Sequence, residues 1–294
     1  MKILLFGKNG QVGWELQRTL APLGEVCAVD REELDLQDLS ALEKFTREQR
    51  PQVIVNASAY TAVDRAEQEQ ELAFQINEHA PRVMAEVARS LRAPFIHFST
   101  DYVFDGELGR PYVEDDATNP LSVYGHSKLA GEQAIQQVDG TYLILRTAWV
   151  YSLRGDSFLR KVMEWARAHP TLKIVSDQIS NPTWARFLAE TVSLLIAKSG
   201  NDPSPYFQER SGTYHLAGSG YASRFEWAQE ILTLDPKREE QIVRELQPAL
   251  TSEFPTPAKR PLFSALDCTE FERVFGLGLP NWKQGLALAF ESIS

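Results

Sequence analysis

KILLFGKNGQVG (residues 2–13) joins a short apolar run to a turn that has glycine at positions 7, 10 and 13. Residues 3–6 predict a buried strand, and residues 12–20 predict the helix after it. A tight turn between a strand and a helix needs backbone angles that a Cβ disfavours. The N-terminus of the helix also offers free N–H groups and the positive end of its dipole to an anion. This segment therefore predicts a strand–turn–helix unit that binds phosphate groups.

Short apolar runs alternate with amphipathic stretches through residues 1–150. Strands buried on both faces have continuous apolar sequences, and the helices between them form right-handed crossovers. The alternation therefore predicts an α/β fold with a doubly wound parallel sheet of the Rossmann type. In the helical stretch 72–91, Pro81 is expected to break or kink the helix. The predicted strands are 3–6, 26–29, 53–55, 95–98 and 142–145, and the other predicted helices are 39–48 and 124–137.

In the rest of the chain, apolar runs and amphipathic stretches alternate less regularly. This pattern predicts a smaller, mixed C-terminal substrate lobe. We expect residues 1–150, with returning elements around 184–217, to form the dinucleotide-binding domain. Residues 151–183 and 218–294 then form the substrate-binding lobe. Within 151–217 the predicted elements are a helix at 157–168, a strand at 172–175, a helix at 184–197, a loop at 200–212 and a strand at 214–216 that returns to the main sheet.

Charge and composition exclude several classes of partner. The 294-residue chain has 30 Lys and Arg against 40 Asp and Glu, a formal net charge of −10. A nucleic-acid-binding protein would show a basic surface, and so would a protein that binds anionic membranes. Only two cysteines, Cys27 and Cys268, are present, and no apolar run approaches the length of a membrane span. We therefore expect a cytoplasmic protein whose partners are small molecules.

The glycine turn and the strand ends after it form the candidate cofactor site. Asp30 ends the second predicted strand, where its carboxylate can accept hydrogen bonds from ribose hydroxyls, whereas the adjacent Arg31 can pair with a 2′-phosphate. We therefore expect both NADH and NADPH to be used. Asp64, after the third strand, either extends the cofactor contact or sits in the first turn of a helix. The other predicted cofactor contacts are Gly7, Asn9, Gly10, Gln11, Val12, Gly13, Ala57, Ala59 and Thr61.

Tyr124 and Lys128 form the candidate catalytic pair. Their four-residue spacing puts the phenol and the ammonium on one face of a helix. A nearby cation can lower the pKa of a phenol, which is otherwise about 10, toward neutrality. The pair alone is a weak signal because this spacing also arises by chance. Thr100 strengthens it, since it ends the fourth strand at the sheet edge where ligands bind.

These motifs together resemble the extended short-chain dehydrogenase/reductase family over nearly the whole chain. The resemblance implies that NAD(P)H delivers a hydride to the C4 ketone of a dTDP-linked 6-deoxy-4-ketohexose. It also implies that Tyr124 donates the proton, Lys128 lowers the Tyr124 pKa and binds the nicotinamide ribose, and Thr100 holds the carbonyl oxygen. The motifs are GKNGQVG (7–13), VIVNASAYTAVDRAE (53–67), STDYVFDG (99–106), NPLSVYGHSKLAGE (119–132), LRTAWVY (145–151) and PTPAKRP (255–261).

Family members that dehydrate their substrate carry Glu after the Thr-Asp step, where this chain has Tyr102. The resemblance therefore favours simple carbonyl reduction. Another nucleotide-sugar reductase or an epimerase remains an alternative, and so does a non-catalytic subunit that only binds NAD(P). The candidate substrate contacts are Asp101, Val103, Phe104, Trp149 and Arg260.

Further expectations concern the histidines, a metal and assembly. His97 is expected to be a packed core residue, and His126 a surface residue. Val103, Phe104 and Trp149 are equally well explained by packing. We find no cluster of the His/Cys type for a metal. Some relatives dimerise with a divalent ion, and the resemblance therefore adds a homodimer and Mg²⁺ to the expectations.

Overall fold

The computed structural model describes residues 1–292, and these residues form the following strands and helices. The strands are β1 (Lys2–Phe6), β2 (Glu25–Val29), β3 (Val53–Asn56), β4 (Phe95–Thr100), β5 (Tyr142–Thr147), β6 (Val150–Tyr151), β7 (Thr171–Val175), β8 (Ile179–Ser180), β9 (Thr183–Trp184), β10 (Gly212–His215), β11 (Ala222–Ser223) and β12 (Glu245–Ala249). The α-helices are α1 (Gln11–Leu20), α2 (Leu39–Gln49), α3 (Val63–Ala66), α4 (Gln70–Phe74), α5 (Ala80–Leu91), α6 (Val123–Val138), α7 (Phe158–Ala168), α8 (Ala185–Lys198), α9 (Pro203–Gln208), α10 (Arg224–Leu234), α11 (Thr269–Phe275) and α12 (Trp282–Glu291).

Six of these strands form a parallel sheet in the order β10-β5-β4-β3-β1-β2. The order reverses between β1 and β3, so the carboxyl ends of these two strands open a crevice at that point. Successive residues of β1 face opposite sides: Leu5 packs in one apolar cluster, and Leu4 in another. The predicted doubly wound parallel sheet is confirmed, because all five pairings between its strands are parallel.

Pro81 does not break the helix as expected. α4 and α5 are joined without interruption by one wide π-helical turn, Gln75–His79. Pro81 lies directly after this turn, as the second residue of α5, where the π-helical turn has already interrupted the regular α-helical hydrogen bonds that a proline disrupts. Asn77 in the wide turn reaches α6, because its amide nitrogen donates to Ser127 Oγ at 3.0 Å.

The segment expected to be a loop at 200–212 contains the short helix α9. Asp202 accepts a hydrogen bond from the Ser204 N–H, Pro203 occupies the first turn, and Phe207 is fully buried against the main sheet. These are ordinary features of a helix start. β10 then pairs in parallel with β5, which confirms the predicted return to the main sheet.

The C-terminal part of the chain packs around Trp227 of α10. α10 begins at a capping box, in which Ser223 and Glu226 exchange hydrogen bonds. Helices α7, α10 and α12 contribute to one apolar cluster. The parallel pair of β7 with β12 lies beside them, and Leu172 belongs to the same cluster.

Candidate active site

Two glycines of the turn are required by close backbone approach. Gly7 has φ +83°, and a Cβ there would lie 2.6 Å from the Ser58 nitrogen. A Cβ on Gly13 would lie 1.9 Å from the Gly7 carbonyl oxygen. α1 starts after Gly10, and no side chain of residues 1–292 caps it. Its first N–H groups therefore face the crevice without a side-chain partner, as an anion site requires.

Asp30 holds the glycine turn in place. Its carboxylate accepts hydrogen bonds from the Asn9 N–H at 2.8 Å and the Arg31 N–H at 2.7 Å. The side chain therefore connects the end of β2 to the turn while it still borders the crevice. Arg31 lines an adjoining cavity of about 280 Å³, which it shares with Ala59 and Thr61.

A cleft of about 670 Å³ opens at the carboxyl ends of the strands. Of the predicted site residues, Gly13, Arg31, Val103, Phe104 and Arg260 are not among those that line it in the described chain. The predicted residues that the fold brings together there are Gly7, Asn9, Gly10, Gln11, Val12, Asp30, Ala57, Ala59, Thr61, Thr100, Asp101, Tyr124, Lys128 and Trp149.

Two buried polar atoms in the cleft indicate that it is built for a polar ligand. Gln11 Oε1 and Thr147 Oγ1 are buried and have no hydrogen-bond partner among the residues that the structure describes. Both residues line the cleft. Buried polar groups in folded proteins are almost always paired. With the glycine turn, these atoms fit a bound dinucleotide.

Lys128 is buried at the centre of the cleft wall. Ser122 caps α6, which places Lys128 one turn beyond Tyr124. Lys128 Nζ donates to the Phe98 carbonyl oxygen at 2.7 Å and lies 3.1 Å from His97 Nε2. Burial lowers the pKa of Lys128 to about 8, although Glu132 works in the opposite direction.

The Tyr124 phenol differs from the expectation of a lowered pKa. Burial raises the pKa of Tyr124 well above its usual value, and a hydrogen bond with the Thr100 side chain opposes that shift only in part. The ring of Tyr102 packs edge-on against Tyr124 at 5.7 Å. Tyr124 is therefore held as a protonated phenol, which is the form that can donate a proton.

Asp101 is a buried carboxylate that connects the two parts of the chain. It accepts hydrogen bonds from Thr100 Oγ1 at 3.1 Å, Ser180 Oγ at 3.1 Å and Ser264 Oγ at 2.5 Å. Burial raises the pKa of Asp101 to about 6, against the effect of these three hydroxyls. Asp101 borders the cleft, but its hydrogen bonds also explain it as a structural residue.

Val103 and Phe104 do not line the cleft. Both are fully buried in a small apolar cluster, and the Phe104 ring stacks on Tyr112 at 4.2 Å. The 3₁₀ turn after β4 directs these side chains into the interior. The alternative explanation, packing beneath the loop, describes their positions.

Arg260 lies beside the cleft and is paired. Its guanidinium forms two hydrogen bonds with Asp64, with Nη2–Oδ2 at 2.7 Å and Nη1–Oδ1 at 3.1 Å. The hydrogen bond from Arg260 lowers the pKa of Asp64. Asp64 therefore anchors the 255–261 segment.

Arg224 is a cleft residue that sequence reasoning missed. Its guanidinium lies 3.7 Å from the Trp149 ring centroid and 4.8 Å from that of Phe158. Its side chain has no hydrogen-bond or ion-pair partner within residues 1–292. Burial lowers the pKa of Arg224 to about 10. The only sequence signal is the Ser-x-x-Glu pattern that starts α10, which positions Arg224 but assigns it no ligand.

In residues 1–292, no group of three or more His, Cys, Asp or Glu side chains could hold a metal ion. No helix in that part of the chain is both long enough and apolar enough to span a membrane.

The full length of the chain, residues 1–294, matches the model of the family described as the RmlD substrate binding domain. The chain belongs to this family. A relative from Salmonella typhimurium, named dTDP-4-dehydrorhamnose reductase, is 42% identical over 293 residues, which cover 97% of this chain and 96% of that protein.

Solved structures extend the likeness of this RmlD-family chain. A dTDP-4-dehydrorhamnose reductase from Clostridium acetobutylicum superimposes with a TM-score of 0.91 at 37% identity, covering 100% of this chain and 99% of that one. A dTDP-4-dehydrorhamnose reductase from Bacillus anthracis, solved in complex with NADP, gives a TM-score of 0.89 at 32% identity and covers 99% of both chains.

Proposed function

We propose that this protein reduces the C4 ketone of dTDP-4-dehydro-L-rhamnose to dTDP-L-rhamnose with NADPH or NADH, as part of dTDP-rhamnose biosynthesis. The observation that carries the proposal is that Thr100, Tyr124 and Lys128 line the same cleft as the uncapped glycine turn. Full-length relatives named as reductases of this substrate support it.

The reduction needs a hydride at carbon and a proton at oxygen. A bound nicotinamide cofactor supplies the hydride. Tyr124 donates its phenolic proton to the C4 oxygen as charge develops there. The Thr100 hydroxyl, which donates to Asp101 in the free enzyme, would turn its one proton to the same C4 oxygen. The Tyr124 O–H bond breaks, the alcohol O–H bond forms, and the Lys128 ammonium stabilises the phenolate that remains.

The cofactor would bind along the turn and the crevice. The N–H groups at the start of α1 would hold the pyrophosphate, and Lys128 the nicotinamide ribose. Asp30 suits the ribose hydroxyls of NADH, whereas Arg31 in the adjoining cavity suits the 2′-phosphate of NADPH. The Bacillus anthracis relative was solved with NADP. We expect both cofactors to support turnover.

The substrate diphosphate would pair with Arg224. An unpaired guanidinium between two aromatic rings fits a diphosphate, because its planar fork matches phosphate oxygens. Arg224 borders both the main cleft and a neighbouring cavity of about 290 Å³, whose walls include Phe158 and Phe254. That cavity would take the nucleoside. Arg260 lines it too, and through its pair with Asp64 it would hold the wall of that cavity rather than bind the diphosphate.

The domain assignment follows from these sites. We propose that residues 1–150 with 184–217 bind the cofactor, and that 151–183 with 218–294 bind the substrate. We also place the enzyme in the cytoplasm, in keeping with the free thiols of Cys27 and Cys268. A homodimer and bound Mg²⁺ stay predictions.

A panel of nucleotide-linked 4-keto sugars tests the proposal. The purified protein should oxidise NADPH and NADH fastest with dTDP-4-dehydro-L-rhamnose and should yield dTDP-L-rhamnose. Matched reactions with a UDP-linked keto sugar test the base preference. No cofactor oxidation with the dTDP substrate would overturn the proposal, and so would exchange of sugar epimers without net oxidation.

A further inference from the structure

Behind Lys128 lies a buried chain of polar side chains that the reduction mechanism does not use. Asn56 ends β3 and is the direct neighbour of His97 on β4 in the parallel pairing. Asn56 Nδ2 lies 3.0 Å from His97 Nδ1, and His97 Nε2 lies 3.1 Å from Lys128 Nζ. Asn56 and His97 are fully buried, and Lys128 is 1% exposed. Solvent water therefore does not reach these three side chains, and each must find its hydrogen-bond partners within the protein.

A backbone group fixes the direction of the chain. The Ser58 N–H, which can only donate, donates to Asn56 Oδ1 at 3.0 Å, and Ser58 Oγ donates to the same oxygen at 2.5 Å. The Asn56 amide nitrogen therefore faces His97, and as a donor it needs a lone pair on Nδ1. A neutral imidazole that accepts at Nδ1 carries its proton on Nε2. His97 thus presents an N–H to Lys128.

An N–H of His97 and an ammonium of Lys128 are both donors, so they cannot pair. A neutral amine can satisfy both contacts, because it accepts from His97 Nε2–H through its lone pair and still donates to the Phe98 carbonyl oxygen at 2.7 Å. The geometry points to His97 as a positioning residue that Asn56 locks in the Nε2–H form and that thereby favours release of a proton from Lys128. This inference rests on the proposed reductase function, in which the ammonium form of Lys128 stabilises the Tyr124 phenolate; His97 sets how readily that ammonium is lost as the pH rises.

The other ionisable groups around Lys128 act on it differently. Glu132, one turn further along α6, favours the ammonium. Its effect is limited because Glu132 is committed to Arg146 of β5, with Oε2 2.7 Å from Nη2, and accepts from Ser99 Oγ. Tyr124 on α6 and Asp101 after β4 face the cleft. His97 is the group in direct contact with the amine from behind.

The tautomer of His97 can be measured without any substrate. In the ligand-free full-length protein labelled with ¹⁵N-histidine, two-bond ¹H–¹⁵N spectra should show His97 with a proton on Nε2 and a bare Nδ1. The His97 signals are assigned by their loss in His97→Gln. A proton on Nδ1, or on both nitrogens, would overturn the inference and would leave the proposed reductase activity untouched.

The pH dependence of kcat/KM for NADPH tests the effect on Lys128, because this ratio reports groups of the free enzyme. In His97→Gln the amide oxygen can accept from the ammonium, so the alkaline limb should move up by about one pH unit, the size of a hydrogen bond to a charged group. The matched control is His126→Gln. His126 is exposed on α6, the helix that carries Lys128, and this variant should leave the alkaline limb of the pH profile where it is in the wild type.

Asn56→Asp is a second variant that tests the inference if His97→Gln does not fold. In Asn56→Asp, the carboxylate still accepts from the Ser58 N–H but now accepts from His97 Nδ1–H as well. The spectra should then show the proton on Nδ1, and the alkaline limb should move up as in His97→Gln. An unmoved limb in both folded variants would overturn the inference.

Discussion

Arg260 and Asp64 form a two-point ion pair that joins the proline-rich segment 255–261 to α3 beside the cofactor crevice. The two N–O distances are 2.7 and 3.1 Å, and Arg260 also hydrogen-bonds Thr256 Oγ1 within its own segment. The pair therefore holds segment 255–261, on the proposed substrate side, against the N-terminal part of the chain that carries the glycine turn.

Arg260→Gln should loosen this segment. A partly exposed pair contributes about 1 kcal/mol, so KM for the nucleotide sugar should rise about fivefold while KM for NADPH stays unchanged. Hydrogen exchange of residues 254–262 should become faster. Unchanged exchange together with a large rise in KM would instead place Arg260 directly on the substrate.

Arg224→Gln should weaken substrate binding without loosening any segment. A lost charge-assisted hydrogen bond costs about 1.5–3 kcal/mol, so KM for the nucleotide sugar should rise about tenfold or more. KM for NADPH should not change, and hydrogen exchange at 254–262 should match the wild type. Arg238→Gln, an exposed change in the same lobe, is the control. Equal increases in both KM values would remove Arg224 from the diphosphate site.

Asp101→Asn should change the pH dependence of stability. The pKa of Asp101 is raised to about 6 in the folded protein, against about 4 in an unfolded chain. Its contribution is present below pH 4 and is lost as pH rises through about 6, because folding then buries a charge. The Tm of the variant minus that of the wild type should therefore increase between pH 4 and pH 7. A difference that does not vary with pH would contradict the raised pKa.

Glu132→Gln should strongly destabilise the fold. The Glu132–Arg146 pair is buried, with side-chain exposures of 1% and 6%. Removal of one partner leaves a buried charge uncompensated and costs about 3–5 kcal/mol. Glu164→Gln is the control, since the Arg160–Glu164 pair is on the surface and should contribute less than about 1 kcal/mol. Urea unfolding measures the free energy of unfolding of both variants. A similarly small decrease in Glu132→Gln and Glu164→Gln would show that the buried pair is not needed for stability.

Sequence patterns predicted the main sheet because its four central strands, β1, β3, β4 and β5, are mostly apolar and are buried on both faces. They failed where a local feature hides the pattern. Pro81 suggested a break, but a wide turn before it keeps the helix continuous. In 200–212, turn-forming residues concealed α9, because Asp202 and Pro203 also start helices.

The candidate site was predictable where function depends on short-range spacing, as in the glycine turn and the Tyr124–Lys128 pair. Contacts between residues far apart in the chain were not. The pairing of Arg260 with Asp64 produces no pattern in the local sequence. The same holds for the exposure of Arg224 to the cleft. The contact between His97 and Lys128 was also not predictable from local sequence. The pattern of β4 predicts only that His97 is a buried core residue, and the register of β3 with β4 is what places it beside Asn56.

The rate of NADPH oxidation with dTDP-4-dehydro-L-rhamnose, compared between wild type and Tyr124→Phe, tests whether this protein is a ketone reductase whose proton donor is Tyr124. The wild type should turn over. The variant should bind NADPH normally and lose about 10²–10⁴ in kcat, the usual contribution of a positioned proton donor. Turnover by Tyr124→Phe at close to the wild-type rate would show that Tyr124 is not the proton donor.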